Sequence, residues 1–297
     1  METSAYHPFR SAKAQEEYLT HYDRMAEEWP VASESRLVDT SFGQTFVRIS
    51  GPSGARPLVL LPGSVLHSLM WAPNIEALSK QYRTYAVDNI YDSGRSVYTR
   101  PLKSLDDFVN WLDELFTTLE LGDSINLMGL SYGAWLTSQY ALRFPKRLAK
   151  IVSLAHPAVV TMQSGFVIRF LLSFVSPRYF KNFMYWLFED SAQKDETSRR
   201  LVDDILEDMR LAGRCFKPKA MVVPKVMADR ELQGIKVPAL FLVGENEKTY
   251  SPQKAIQRLN KVAPQIQTET IPQAGHDLTF VQAEMVTRRV LEFLSQP

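Results

Sequence analysis

MGLSYGAW, residues 128 to 135, joins two segments of opposite character. Before it, SINLMG (124 to 129) is a short apolar run of the kind buried on both faces of a parallel sheet. After it, Tyr132 to Phe144 has the composition and spacing of a helix. A strand that turns directly into a helix bends sharply, and the bend strains the backbone so that only tiny residues fit two positions to either side. Gly129 and Gly133 stand at those positions around Ser131. The turn would lift the Ser131 hydroxyl clear of the sheet at the amino end of a helix, where a nucleophile can reach a substrate.

The same alternation extends outward. PLVLLPG (57 to 63), RTYAVD (83 to 88), AKIVSLA (149 to 155) and PALFLVG (238 to 244) read as further buried strands. Helical segments from Ile75 to Gln81, Leu105 to Leu119, Tyr132 to Phe144 and Pro252 to Val262 are interleaved with them. This predicts an α/β fold with a mostly parallel sheet and helices on both faces. QTETI (267 to 271) is a last strand, leading through Pro272 and Gly275 into a closing helix from Leu278 to Leu294. Upstream, SRLVDT and QTFVRIS flank SFG and predict a hairpin, while residues 10 to 28, with Tyr18, Tyr22, Met25 and Trp29 at helix-like spacing, predict a helical arm.

Residues 157 to 232 break the alternation. They read as helices over 162 to 174, 178 to 188 and 197 to 211, with aromatic residues throughout. A helical insertion between two strands would sit over the carboxyl end of the sheet, where ligands bind in such folds. The expected division is an arm over 1 to 34, a core over 35 to 156 and 233 to 297, and a cap over 157 to 232. Most of the cap aromatics are expected to pack it onto the core.

Composition narrows the function. The 297 residues are 45% hydrophobic and 23% charged with a formal net charge of +1, and carry no basic stripe that would point to nucleic acid. Cys215 is the single cysteine, and no Cys/His spacing suits zinc, so neither metal nor redox cofactor is expected. The N-terminal residues lack the basic then apolar pattern of a secretory signal, which makes a cytoplasmic location the default expectation. The longest apolar stretch, GFVIRFLLSFV (165 to 175), contains Arg169 and is too short to span a bilayer.

The sequence Gly129-Leu130-Ser131-Tyr132-Gly133, with LLPGSVLHSLMW before it and AGHDL after it, resembles the α/β-hydrolase superfamily, and the similarity runs from about residue 36 to the end. The resemblance implies a capped serine hydrolase that needs no cofactor. His276, in QAGHDL between the last strand and last helix, matches the superfamily's histidine loop, where a base can take the serine proton and return it to the leaving group. Among the other histidines, His7 and His21 fall in the arm and read as surface residues, while His67 follows the Pro-Gly turn and His156 a strand, positions that could line a pocket but do not suit the base. The superfamily's acid usually lies three residues past a Gly, after the strand before the last. Gly244-Glu245-Asn246-Glu247 puts Glu247 there and leaves Glu245 as a competitor, with Asp277 a poor candidate because it adjoins the histidine.

The resemblance also implies two backbone donors for an oxyanion, the Tyr132 amide and one just after LLPG, which is Ser64 with Val65 as its neighbour. Two departures are visible. Pro62-Gly63 replaces the frequent His-Gly, and in VDNIYDSGRSV (87 to 97) Asp92 replaces one Gly of the pattern Asp, then Gly-x-Gly-x-Ser. Asp88 and Arg95 are expected to make local hydrogen bonds there. The leading expectation is hydrolysis of a carboxylic ester of a small or medium apolar substrate. Cleavage of a C–C bond, amide or lactone, acyl transfer, or a ligand-binding role on the same fold are the alternatives.

Overall fold

The computed structural model describes residues 7–296. Helix α1 (Ala12–Ala26) starts behind Ser11, whose hydroxyl accepts the Ala14 N–H at 3.1 Å. Strands β1 (Ser33–Thr40) and β2 (Gly43–Ser50) form the expected hairpin, closed by Ser41 and Phe42 with Thr40 opposite Gly43. Gly43 has φ 131°, and a side chain there would run into the backbone at Val97 and Tyr98. Next come β3 (Pro57–Leu61), a 3-10 turn (Ser68–Trp71), α2 (Ala72–Ser79) and β4 (Arg83–Val87). A two-residue strand, β5 (Val97–Tyr98), pairs with β2 inside what the sequence presents as loop. Helix α3 (Leu105–Thr118) begins with a capping box between Ser104 and Asp107. Then follow β6 (Ile125–Leu130), α4 (Tyr132–Arg143) and β7 (Leu148–Leu154).

Five helices follow before the next strand: α5 (Ser164–Ser173), α6 (Pro177–Leu187), α7 (Glu189–Lys194), α8 (Glu196–Cys215) and α9 (Asp229–Gly234). The chain returns to the sheet through β8 (Ala239–Gly244), α10 (Pro252–Val262) and β9 (Ile266–Ile271). The closing helix is not continuous. It divides into α11 (Leu278–Val281) and α12 (Ala283–Ser295) at Gln282, whose φ −122° and ψ 37° are not helical.

The sheet runs β1-β2-β4-β3-β6-β7-β8-β9, antiparallel at the hairpin and at β2–β4, and parallel from β4 onward. Successive side chains of a strand face opposite ways, and the core divides accordingly. Val59, Leu61, Ile125, Leu127, Ile151 and Phe241 pack with α3, α4 and α10, while Leu58, Leu60, Met128, Val152 and Leu242 pack with α2 and α12. Coverage of both faces is why these strands read as unbroken apolar runs. Helices α6 and α8 join the second cluster through Phe183, Met184, Leu187, Val202 and Leu206.

The arm is more deeply embedded than its sequence suggests. Tyr18 and Tyr22 are fully buried, and His21, expected at the surface, is buried as well, because α1 packs along α8 rather than lying on the outside of the domain. His7 is half-buried, its ring nitrogen accepting the Phe9 N–H at 3.3 Å. The expectation that cap aromatics pack inward fails for Phe170, Phe174 and Tyr179, which are exposed because α5 packs on α6 and leaves its other faces open.

Candidate active site

Ser131 sits between the last residue of β6 and the first of α4 with φ 52° and ψ −113°, a conformation that costs about 1–3 kcal/mol for a residue with a side chain. Two bonds hold it there: its N–H donates to the Leu154 carbonyl at 2.8 Å, and its carbonyl accepts the Trp135 N–H at 3.1 Å. The flanking glycines are required by contact. A Cβ on Gly129 would collide with the Gly133 carbonyl, and one on Gly133 would lie 2.6 Å from the Pro62 carbonyl oxygen. Gly133 therefore lets α4 approach the loop after β3, which brings Ser131 and Ser64 to the same edge of the sheet.

The loops after β8 and β9 meet at that edge too. Gly244 lies against the Ala274 carbonyl with no room for a side chain, and the Glu245 and Asn246 amides donate to the carbonyls of Ile271 (2.9 Å) and Ala274 (2.8 Å). This stitching places Glu247 Oε2 2.9 Å from His276 Nδ1. The other carboxylate oxygen, Oε1, accepts the Thr249 N–H and hydroxyl, both at 2.8 Å. Both residues are buried, and Glu247's side chain is wholly so. Burial alone would press the His276 pKa down, but the Glu247 carboxylate, aided by Asp277, outweighs it and holds the imidazole above its ordinary value. Burial likewise opposes the charge on Glu247, and His276 with the two Thr249 donors overcomes it, leaving the carboxyl below its usual range.

Glu245, the competitor, is exposed and accepts the Gln273 N–H at 3.3 Å. Asp277 is buried but faces elsewhere, accepting the Ser191 N–H at 2.8 Å and the Gly275 N–H at 3.2 Å. With Asn246 donating to Asp190 at 2.9 Å, these contacts moor α7 to both loops.

The departure at Asp92 bears on the loop that follows Pro62-Gly63. Asp92 Oδ2 accepts the Val65 N–H at 2.9 Å, and Val65 takes a left-handed φ of 56°. Asp92 is buried, which raises its pKa, and the Lys219 ammonium 3.9 Å away opposes that rise. Lys219 is itself pulled down by burial. The Val65 N–H is thus engaged, whereas the Ser64 and Tyr132 amides donate to no acceptor among the described residues. Asp88 is a local hub as expected, accepting the Ser68 N–H and the Arg95 N–H, both at 2.8 Å, and the Tyr22 hydroxyl at 3.2 Å. The Arg95 side chain instead reaches Asp23 on α1.

Of the remaining histidines, His156 is buried with its pKa pushed down to about 3 by desolvation, and accepts the Ala158 N–H at 3.1 Å. His67 and His21 both face Asp208 of α8, at 3.3 Å and 3.6 Å. Burial works against a charge on His67, but Asp208 raises its pKa above the ordinary value. Sequence reasoning missed this cluster, yet a signal existed: Asp208 shares the helical stripe of Leu211, Ala212 and Cys215, all buried.

A strained serine at a strand-to-helix turn and a carboxylate–imidazole pair, all at the carboxyl edge of one parallel sheet, define a class of fold and site. Residues 58–289 match the model of the alpha/beta hydrolase family, and the chain belongs to that family. Among its relatives, carboxylesterase YbfK of Bacillus subtilis (strain 168) is 35% identical over 273 residues, 92% of each chain. An uncharacterized carboxylesterase, nap, of the same organism is 33% identical over 94% of this chain and 92% of its own. The crystal structure of naproxen esterase (carboxylesterase NP) from Bacillus subtilis superposes with a TM-score of 0.86 at 31% identity, covering 96% of this chain and all (100%) of that one.

Proposed function

We propose that the chain is a serine hydrolase cleaving a carboxylic ester of a small or medium apolar substrate. The observation that carries the reading is the buried Glu247–His276 hydrogen bond of 2.9 Å, at the sheet edge where Ser131 is held in its strained turn. Similarity to carboxylesterases over more than nine-tenths of the chain supports the choice of ester.

In this mechanism Ser131 attacks the ester carbonyl while His276 takes its proton. Glu247 keeps the Nδ1 proton of His276 directed at itself, leaving the other ring nitrogen free to accept, and stabilises the imidazolium that forms. The Ser64 and Tyr132 amides receive the oxyanion, a role that suits two N–H groups with no other partner. His276 then protonates the departing alkoxide, giving an alcohol and an acyl-Ser131 ester. Water, deprotonated by His276, attacks that ester, and collapse of the second tetrahedral intermediate releases the acid and restores the Ser131 hydroxyl. No step calls for a cofactor. The helices over 157 to 232 serve as a cap bounding the substrate site, and a cytoplasmic enzyme acting on small molecules fits a lone, buried, unbridged Cys215.

Turnover of a short p-nitrophenyl ester, lost in Ser131→Ala, tests the proposal. Absence of turnover with every activated ester, together with no labelling by a fluorophosphonate, would refute it.

A further inference from the structure

The apolar stretch 165 to 175 forms most of α5, and apart from the half-buried Phe166 its large apolar side chains face solvent instead of the core. Phe174 is 74% exposed, Val175 66%, Leu171 61% and Ile168 58%, with Phe170 and Tyr179 beside them. A soluble domain rarely leaves so many large apolar groups contiguous and uncovered unless the patch meets something.

Charge identifies what it meets. From Ser124 through Phe188 the chain contains no Asp or Glu. Within α5 and α6, Arg169, Arg178 and Lys181 are exposed, and among the described residues none of them pairs with a carboxylate. Arg169 lies 4.9 Å from the centre of the half-buried Trp186 ring, and Lys181 5.4 Å from that of Tyr185. Large apolar side chains flanked by unpaired cations and interfacial aromatics are the composition of an element that lies in a bilayer interface. A second copy of the chain fits poorly, because a symmetric contact would set Arg169, Arg178 and Lys181 against the same cations, while the carboxylates beside the patch, Asp203 at the Tyr185 hydroxyl and Glu189 at Lys248, are already engaged.

We infer that α5 and the start of α6 dock on a lipid surface carrying anionic headgroups. Leu171, Phe174 and Val175 enter the acyl boundary, and Arg178 and Lys181 meet the headgroups. The attachment is peripheral, since among the described residues no helix is long and apolar enough to cross a membrane. The docking helices are tied to the loop that carries Glu247: the Gln163 N–H, at the start of α5, donates to the Thr249 carbonyl, and Lys248 Nζ donates to the Trp186 carbonyl of α6, both at 2.8 Å. Docking therefore steadies the segment behind the Glu247–His276 pair and brings an apolar ester toward it from the bilayer.

Sedimentation of the purified chain with vesicles of phosphatidylglycerol and phosphatidylcholine, against phosphatidylcholine alone, tests this without any ester present, so its outcome is independent of the proposed hydrolysis. Binding to the anionic vesicles is expected to fall by about 30-fold in Arg178→Glu/Lys181→Glu, counting only the two lost cations. It should also be lost in Leu171→Asp/Phe174→Asp, with a cooperative thermal unfolding transition retained as the check on folding. No vesicle binding, equal binding to neutral and anionic vesicles, or a dimer in light scattering that Leu171→Asp/Phe174→Asp dissociates would each overturn the inference.

Discussion

Replacing Glu247 by Gln preserves volume and removes a charge, and the hydrogen bonds around it dictate what happens next. Oε1 accepts two donors from Thr249, one of them a backbone N–H that can only donate. The amide oxygen of a glutamine must take that position, since turning it round would leave the Thr249 N–H facing another donor at a cost of about 1–3 kcal/mol. The amide nitrogen then occupies the place of Oε2, 2.9 Å from His276 Nδ1, and donates to it. His276 answers by carrying its proton on Nε2, the nitrogen that must be free to accept from Ser131. The imidazole is in place but in the wrong tautomer. In serine proteases the matching carboxylate-to-amide exchange lowers turnover about 10⁴-fold, which at about 1.36 kcal/mol per decade is about 5.4 kcal/mol of lost transition-state stabilisation. The expected outcome is a fall of that order in kcat for a p-nitrophenyl ester, with KM little changed, a parallel slowing of fluorophosphonate labelling, and a cooperative thermal unfolding transition retained. Glu245→Gln, at an exposed position, should keep near-normal turnover. The reverse pattern, with Glu247→Gln active and Glu245→Gln collapsed, would refute the reasoning from the Thr249 bonds.

The acidic limb of kcat/KM against pH should have its midpoint above 6.5, since His276 acts only when neutral and Glu247 raises its pKa above that ordinary value; activity rises as pH increases through the shifted pKa, and a midpoint below 6.5 would contradict the pairing. Asp92→Ala frees the Val65 N–H beside Ser64, loosens the left-handed turn and should lower kcat by about tenfold with KM little changed, less than the 10²–10³-fold loss of a whole oxyanion donor. Asp92→Asn, which still offers an acceptor, should recover most of that loss; a change in KM alone would assign Asp92 to substrate binding instead.

Much of the site was legible because strand ends carry local signatures. Gly129, Ser131 and Gly133 report a turn whose sterics are fixed within five residues, whereas the spacing from Gly244 to Glu247 was legible only through the resemblance to a family. Where contacts span the chain, the signal weakened. His21 reads as an arm residue because its burial depends on Asp208, far along the sequence, and β5 is too short to have a periodicity of its own. Asp92 reads only as a departure from a pattern until the structure sets it against Val65.

Taken alone, the sequence determined the alternation of strands and helices and the sharp turn at Ser131, since apolar periodicity and glycine sterics act over a few residues, while the expected acid and histidine came from the resemblance to a family. Tertiary structure decided the rest. Glu245 and Glu247 are indistinguishable as residue types in an acidic loop, and only the backbone bonds from Glu245 and Asn246 to the histidine loop aim Glu247 at His276 and leave Glu245 in water. The apolar run 165 to 175 is likewise ambiguous as a string, equally suited to a core or a surface, and its exposure follows from α5 packing mainly on α6, with its other faces largely open. Burial is a property of what arrives from elsewhere in the chain, and a local pattern does not encode it.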